Sequence, residues 1–350
     1  MLQLGWKAGT EQYGPKELLD FAIAAEAAGF DSIDASDHFH PWAEKGEAPF
    51  VWSVLGAIAA RTSRITIGTG VTCPILRYHP AIVAQAAATA AALAPGRFFL
   101  GVGTGEALNE YSATGLWPSY NERRAQLAEA IELIRALWSG EKVTHKGDHY
   151  ETHQAKLYTL PNEPIPLYIS SLVPESARFA GEYGDGLITA GGEEPDTYQE
   201  MLRSFGAGAK DAGRNASRTP RMIELAVAYT KDEDGAIEAR KAYWAGTFVP
   251  AMFTEKLYTP EMSEKNGKIV GSDTIREGGC YSADPDEHVK HAQKYIDLGF
   301  DHLIFHSAGP DQRGFIESYG RDVLPRLRER SKGSSKAPAR KRRGAKSKGR

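Results

Sequence analysis

The chain has 350 residues, 41% of them hydrophobic, which is enough apolar material for one large core. No stretch is long and apolar enough to span a bilayer, and the opening MLQLGWKAGTEQ lacks the charged and apolar regions of a signal peptide. The net charge of -3 hides an asymmetry: from Lys332 onward KGSSKAPARKRRGAKSKGR carries nine Lys or Arg and no acid, leaving 33 basic against 45 acidic residues in the body, which argues against nucleic acid as the main ligand.

Strand and helix patterns then alternate along the chain. LQLGWKA opens a strand, and PKELLDFAIAAEAAGF follows as a helix, with Pro15 in its first turn and Leu18, Leu19, Ala22, Ile23 and Ala25 at helical spacing. DSIDASDH and RITIGTGV are the second and third strands, HPAIVAQAAATAAALAPG is a helix, and FFLGVGTG is the fourth strand. After the amphipathic NERRAQLAEAIELIRALWSG, the segment KVTHKGDHYETHQAKL reads as an inserted hairpin. PLYISS and GLITAG, separated by the helix PESARFAGEYG, are the fifth and sixth strands; MIELAVAY is the seventh and DHLIFHS the eighth. DPDEHVKHAQKYIDLGF feeds the last strand, and GFIESYGRDVLPRLRER closes the pattern. The polar stretch from Ala251 to Gly279 reads as a long irregular insertion between a strand and a helix.

Eight strands with helices between them predict an α/β fold, a (β/α)8 TIM barrel with insertions, as a single catalytic domain over residues 1–330. A doubly wound sheet is the alternative, with fewer strands and a switch point. Residues 331–350 form a basic tail that composition predicts to be disordered. Cys73 and Cys280 are the only cysteines, which argues against a disulfide scaffold and fits a reducing cytoplasm; Cys73 reads as packing rather than as a nucleophile.

Barrels place chemistry at the C-terminal ends of their strands, where three clusters fall. After the second strand comes Ser36-Asp37-His38-Phe39-His40-Pro41-Trp42, in which a histidine suits proton transfer near neutral pH. His38 and His40 also have a spacing that could hold a metal, with His79 and His306 as the remaining candidates, but no convincing ligand set assembles and no metal is predicted. After the third strand comes Thr69-Gly70-Val71-Thr72-Cys73-Pro74. After the fourth comes Gly101-Val102-Gly103-Thr104-Gly105-Glu106-Ala107-Leu108-Asn109-Glu110, whose glycines let backbone approach a ligand and whose Glu106 could serve a ring nitrogen, although the spacing is not that of a dinucleotide fingerprint.

Together SDHFHPW, RYHPAIVAQA, FLGVGTGEALNE, YGDG, DPDE and HLIFHSAGPDQRGF resemble the luciferase-like F420-dependent dehydrogenases, a group that includes the F420-dependent glucose-6-phosphate dehydrogenases. The resemblance runs from about Leu4 to Arg330. It implies coenzyme F420, an 8-hydroxy-5-deazaflavin, as cofactor, and transfer of a hydride from a hydroxyl-bearing carbon of an alcohol or sugar to it. It implies a catalytic group of His38 as base, Trp42 beside the reacting carbon, Glu106 at the deazaflavin ring nitrogen and Glu11 supporting the pocket. For the cofactor it implies Asp37 and a cis Gly70–Val71 bond against the ring, and Gly105, Ala107, Leu108, Asn109, Ser170 and Ser171 along the tail and phosphate. A homodimer is implied by the same analogy.

Several positions depart from the sugar-phosphate enzymes. Ala190 and Glu193 stand where those have Thr and Lys, Gly278 stands near a pocket Arg, and Leu172-Val173 replace a glycine pair; Lys256 matches a retained Lys. Fewer cations disfavour a phosphate dianion. The order of readings is therefore dehydrogenation of a neutral alcohol or sugar, then of a sugar phosphate, then an FMN-dependent luciferase-like monooxygenase. A cofactor-sequestering protein with a functional tail is the reading from another class.

Overall fold

The computed structural model describes residues 2–215 and 219–334. Strand β1 (Gln3–Ala8) leads to α1 (Pro15–Ala28), β2 (Ser32–Ala35) to α2 (Val51–Arg61), β3 (Thr66–Thr69) to α3 (Pro80–Leu93), and β4 (Phe98–Val102) to α4 (Ala107–Thr114) and α5 (Tyr120–Trp138). The antiparallel hairpin β5 (Val143–Lys146) and β6 (Glu151–Ala155) is inserted there as expected. Then come β7 (Leu167–Ser170), α6 (Pro174–Tyr183), β8 (Gly186–Ala190), α7 (Pro195–Asp211), β9 (Arg221–Tyr229) and α8 (Glu233–Trp244). Beyond a short 3-10 turn at Ala245–Phe248 lie α9 (Ala251–Thr254), α10 (Pro260–Gly267), α11 (Ser272–Glu277) and β10 (Gly279–Ser282). The chain ends in α12 (Pro285–Leu298), β11 (His302–His306), α13 (Gln312–Asp322) and α14 (Leu324–Ser334).

Parallel pairing runs β1-β2-β3-β4-β7-β8-β9-β11 and back to β1, so eight strands close a barrel. The period of two along each strand divides the side chains between a helix-facing shell and a lumen. On β1, Leu4 and Trp6 join the large shell core, with Trp6 edge-on to Phe21 of α1, while Lys7 reaches Asp34 and the Gly70 carbonyl. The lumen is filled by Phe99, Tyr168, Ile188, Met222 and Ile304, with Val71 packed against them.

Two expectations are corrected. The stretch from Ala251 to Gly279 is not irregular: it folds into α9, α10 and α11, held by short-range caps such as the Thr259 hydroxyl accepting from Met262 N–H. It ends in β10, which pairs with the outer half of β9 as an additional parallel strand. In the basic extension, α14 continues through Ser334; the rest of the predicted disordered tail lies outside the described residues.

At the bottom of the barrel, where strands begin, three aspartates each accept an N–H from the first two residues of a neighbouring strand. Asp31 takes Leu4, Asp185 takes Leu167 and Asp301 takes Arg221, at 2.8–3.0 Å. The YGDG motif is thus structural, and so is DPDE, where Asp284 caps α12. A cleft of about 420 Å³ opens at this end, lined by Gln3, Thr66, Phe99, Tyr168 and His302 among others.

Candidate active site

The opposite end, where the strands finish, carries the titratable cluster. His38 follows β2, and its Nδ1 lies 3.0 Å from the His40 carbonyl. A carbonyl only accepts, so Nδ1 holds the hydrogen and Nε2 is the free basic atom of the neutral ring. That Nε2 lies 3.4 Å from Glu11 Oε1 and 3.5 Å from Glu106 Oε2. Burial pushes the Glu106 carboxyl up, with the charge of Glu11 acting in the same direction and His38 and Asn109 opposing it. Glu11 is buried, and the Thr10 hydroxyl lies 3.1 Å from its Oε2. Trp42, also buried, sets its ring 5.4 Å from the His38 ring and 5.8 Å from Phe253 of the insertion. The sequence-predicted catalytic group, His38, Trp42, Glu106 and Glu11, therefore comes together in space from three segments.

Asn109 organises this group. Its Oδ1 accepts from the Phe39 and His40 N–H groups at 2.8 and 3.1 Å, and its Nδ2 donates to Glu106 Oε2 at 3.0 Å. One amide thus fixes both the loop carrying His38 and the Glu106 carboxyl. Asp37 is likewise engaged inside the protein. It accepts from the Thr72 hydroxyl at 2.8 Å, the Tyr78 hydroxyl at 3.1 Å and Arg77 Nη1 at 3.2 Å. Arg77 is shared with Glu110, whose carboxyl burial pushes up to about 7 despite that partner.

The Gly70–Val71 peptide bond is cis, as the family resemblance implies, and its carbonyl accepts from Lys7 Nζ at 2.8 Å. No side chain fits at residue 70, because a Cβ would stand 1.7 Å from Asp34 Oδ1. Gly105 has φ 76, and a Cβ there would meet Cys73 Sγ at 2.6 Å. Val71, Gly103 and Ser170 adjoin one another, leaving a shelf of small groups at the end of the strands. Ala107 and Leu108 open α4 and are fully buried, the Leu108 side chain packing in the same apolar cluster as Trp42, so the accessible part of this turn is Thr104, Gly105 and Glu106. The Ser171 hydroxyl is held by the Val173 carbonyl at 2.9 Å and Ser176 Oγ at 2.7 Å, whereas no such partner engages Ser170 among the described residues. Of the predicted cofactor residues, Asp37, Leu108, Asn109 and Ser171 thus have their side chains turned inward.

Sequence reasoning missed a second charged group in the lumen. Lys7 Nζ lies 3.2 Å from Asp34 and 3.0 Å from Glu224, and His306 Nδ1 donates to Glu224 Oε1 at 2.6 Å. Burial holds the His306 ring down to about 4, with Arg240 acting the same way and Glu224 opposing. The available signal was the charged Lys7 and Glu224 at lumen positions of apolar strands.

Known proteins bear on this geometry. The luciferase-like monooxygenase family matches residues 2–302. An F420-dependent glucose-6-phosphate dehydrogenase of Intrasporangium calvum is 42% identical over 333 residues, spanning 94% of this chain and 99% of that protein. One of Segniliparus rotundus is 44% identical over 331 residues, spanning 93% and 98%. Among solved structures, an F420-dependent secondary alcohol dehydrogenase in complex with an F420-acetone adduct superposes with a TM-score of 0.89 at 38% identity, covering 93% of this chain and 99% of that one.

Proposed function

The chain belongs to the luciferase-like monooxygenase family, and from that premise we propose that it is an F420-dependent dehydrogenase acting on the CH–OH group of an alcohol or sugar, with His38 as base. The observation that carries this reading is His38 Nε2, the free basic atom, facing Glu11 and Glu106 beside a tryptophan wall. The names of the relatives and of the structural neighbour support it.

Bound F420 supplies a two-electron acceptor, taking the hydride at C5 as the donor carbon becomes a carbonyl. His38 Nε2 takes the hydroxyl proton, and Glu11 steadies the imidazolium that results. Glu106, whose protonated form burial favours, would stand as the proton source for the cofactor's ring nitrogen, with its carboxyl held by Asn109. Trp42 covers the reacting carbon and keeps water away. The shelf fits a flat ring: Gly70, Val71, Gly103 and Gly105 present little beyond backbone, and Ser170 continues it towards the tail, with buried Ala107 beneath. Asp37, Leu108, Asn109 and Ser171 shape that surface from behind.

A sugar phosphate fits less well, because Lys256 stacks on the Tyr111 ring at 3.6 Å and Ala190 and Glu193 add no cation. No helix among the described residues is long and apolar enough to cross a membrane. Both cysteines are free and buried, which suits the cytoplasm we assign. We also assign a homodimer, formed through α2 and α3, where Phe50, Ile82 and Leu93 are half or more exposed beside an apolar groove.

The test is fluorescence titration of cofactor-free protein with F420 and, separately, with FMN, followed by F420 reduction with alcohols and sugars. Tight F420 binding with weak FMN binding and donor-dependent reduction is expected. The reverse affinities would put the FMN-dependent monooxygenase first.

A further inference from the structure

Buried Lys7 lies between Asp34 and Glu224, half-buried Arg77 between Asp37 and Glu110, and buried Arg123, which has no carboxylate, donates to the Pro118 carbonyl. Arg240 of α8 has neither kind of acceptor among the described residues. It is 7% exposed, and among the described residues it makes no ion pair; its Nε and Nη1 are buried without any acceptor. What it touches is aromatic, its guanidinium lying 5.5 Å from the Trp244 ring and 6.0 Å from the Phe248 ring. The Tyr281 hydroxyl is a second buried polar group with no partner. Burying such groups unsatisfied is costly, so native structures leave few of them.

Their position is informative. Tyr281 stands in register with Ala228 of β9, four residues beyond Glu224, so it shares the lumen-facing side of the barrel wall. Trp244 and Tyr281 belong to the same apolar cluster as Trp42, which adjoins His38. In the ring of strands β9 lies opposite β3, which leads into Gly70 and Val71 of the shelf, and two strands from β7, which carries Ser170. Tyr281 therefore lies on the lumen side of this wall, and the Arg240 charge acts on Tyr281 and on the lumen residues Glu224 and His306, across the ring from Gly70.

We propose that Arg240 and Tyr281 form an oxyanion subsite for a carboxylate on the substrate, which makes the substrate a hydroxy acid. This rests on the dehydrogenase reading of the site at His38. A planar carboxylate accepts two N–H groups of a guanidinium in a fork, and its remaining lone pairs accept the phenol hydrogen. Glu224 does not compete, because both its oxygens are engaged by Lys7 and His306. Its negative charge near this site favours a monoanion over a phosphate dianion. The rings of Trp244 and Phe248 exclude water from the guanidinium and so strengthen the contact.

The test uses the full chain loaded with F420 and donors paired by skeleton: 3-hydroxybutyrate against 2-butanol, and glucose 6-phosphate against glucose. The expected result is a kcat/KM for 3-hydroxybutyrate about tenfold or more above that for 2-butanol. That ratio should fall about tenfold in Arg240→Met, through KM, and by a smaller factor in Arg240→Lys and the near-isosteric Tyr281→Phe. A wild-type ratio below one, or a ratio unchanged in Arg240→Lys and Tyr281→Phe, overturns the proposal. A preference for glucose 6-phosphate over glucose that depends on Arg240, without one for 3-hydroxybutyrate, overturns the carboxylate in favour of a phosphate. Butyrate binding, followed by tryptophan fluorescence, separates the two readings. Saturable binding lost in the Arg240 variants, with no donor reducing F420, would defeat the dehydrogenase reading and keep the subsite. Turnover of neutral alcohols without butyrate binding would do the opposite.

Discussion

The two ends of this barrel use the same residue types for opposite purposes. At the bottom, Asp31, Asp185 and Asp301 each face a backbone N–H, and the His302 ring is matched by Ser32 Oγ at 2.6 Å. At the top, Glu11 and Glu106 converge on a single imidazole nitrogen, His306 keeps one ring nitrogen unpartnered, and Arg240 has no acceptor. The three bottom aspartates and His302 are matched within the protein, whereas the top leaves His306 Nε2 and Arg240 Nε and Nη1 without partners, although a cleft opens at the bottom. A volume alone is packing geometry; convergent buried groups without partners are the better mark of a ligand site.

The most severe way to break the top is His38→Ala. Turnover should fall by about a hundred- to ten-thousandfold while F420 still binds, as read by F420 reduction and by fluorescence titration. Normal turnover would remove His38 as the base. Asn109→Ala should cost about tenfold in kcat, because it releases the His38 loop and Glu106 together, with smaller changes in donor KM. An unchanged kcat would show that the loop holds itself.

The bottom should respond in stability alone. Asp301→Ala strands the Arg221 N–H and should lower unfolding free energy by about 1–3 kcal/mol in urea titrations, with kcat preserved. A drop in kcat of the same protein would mean that the ends are coupled.

Strand β11 carries a probe at each end. Burial holds both His302 and His306 down to about 4 in the fold, against the ordinary 6.5. The unfolded chain therefore takes up these protons first as pH falls. Stability is present above about 6.5 and is lost between there and 4, at up to about 1.4 kcal/mol per pH unit for each ring. His302→Gln should make the acid limb of a stability-versus-pH curve shallower by about one proton. An unaltered slope would show that the bottom histidine does not titrate with unfolding.

How much of this was legible beforehand depends on the distance over which each residue acts. The barrel was readable because the alternation of strand and helix is local, and SDHFHPW was readable because a histidine at a strand end has few other uses. Asn109 was assigned to the cofactor by the family resemblance; its partners Phe39 and His40 are some 70 positions earlier, which spacing cannot reveal. Arg240 reads in sequence as one more charge on an amphipathic helix, and only the folding of Trp244, Phe248 and Tyr281 around it buries it. The strand GCYS is too short to announce itself, since its pairing depends on β9 extending beyond the barrel.

That extension gives the molecule an uneven rim. The last residues of β9, Val227–Tyr229, stand above the closed ring and carry β10 beside them, whereas β3 across the lumen ends at Thr69. At about 3.3 Å per residue, one wall rises roughly 10 Å above the ladder that closes the ring. A visitor descending the barrel axis meets a parapet on one flank and a low sill on the other. In the proposed reaction the low side would admit the flat cofactor and the high wall would stand behind the small donor, a division set by strand length before any side chain acts.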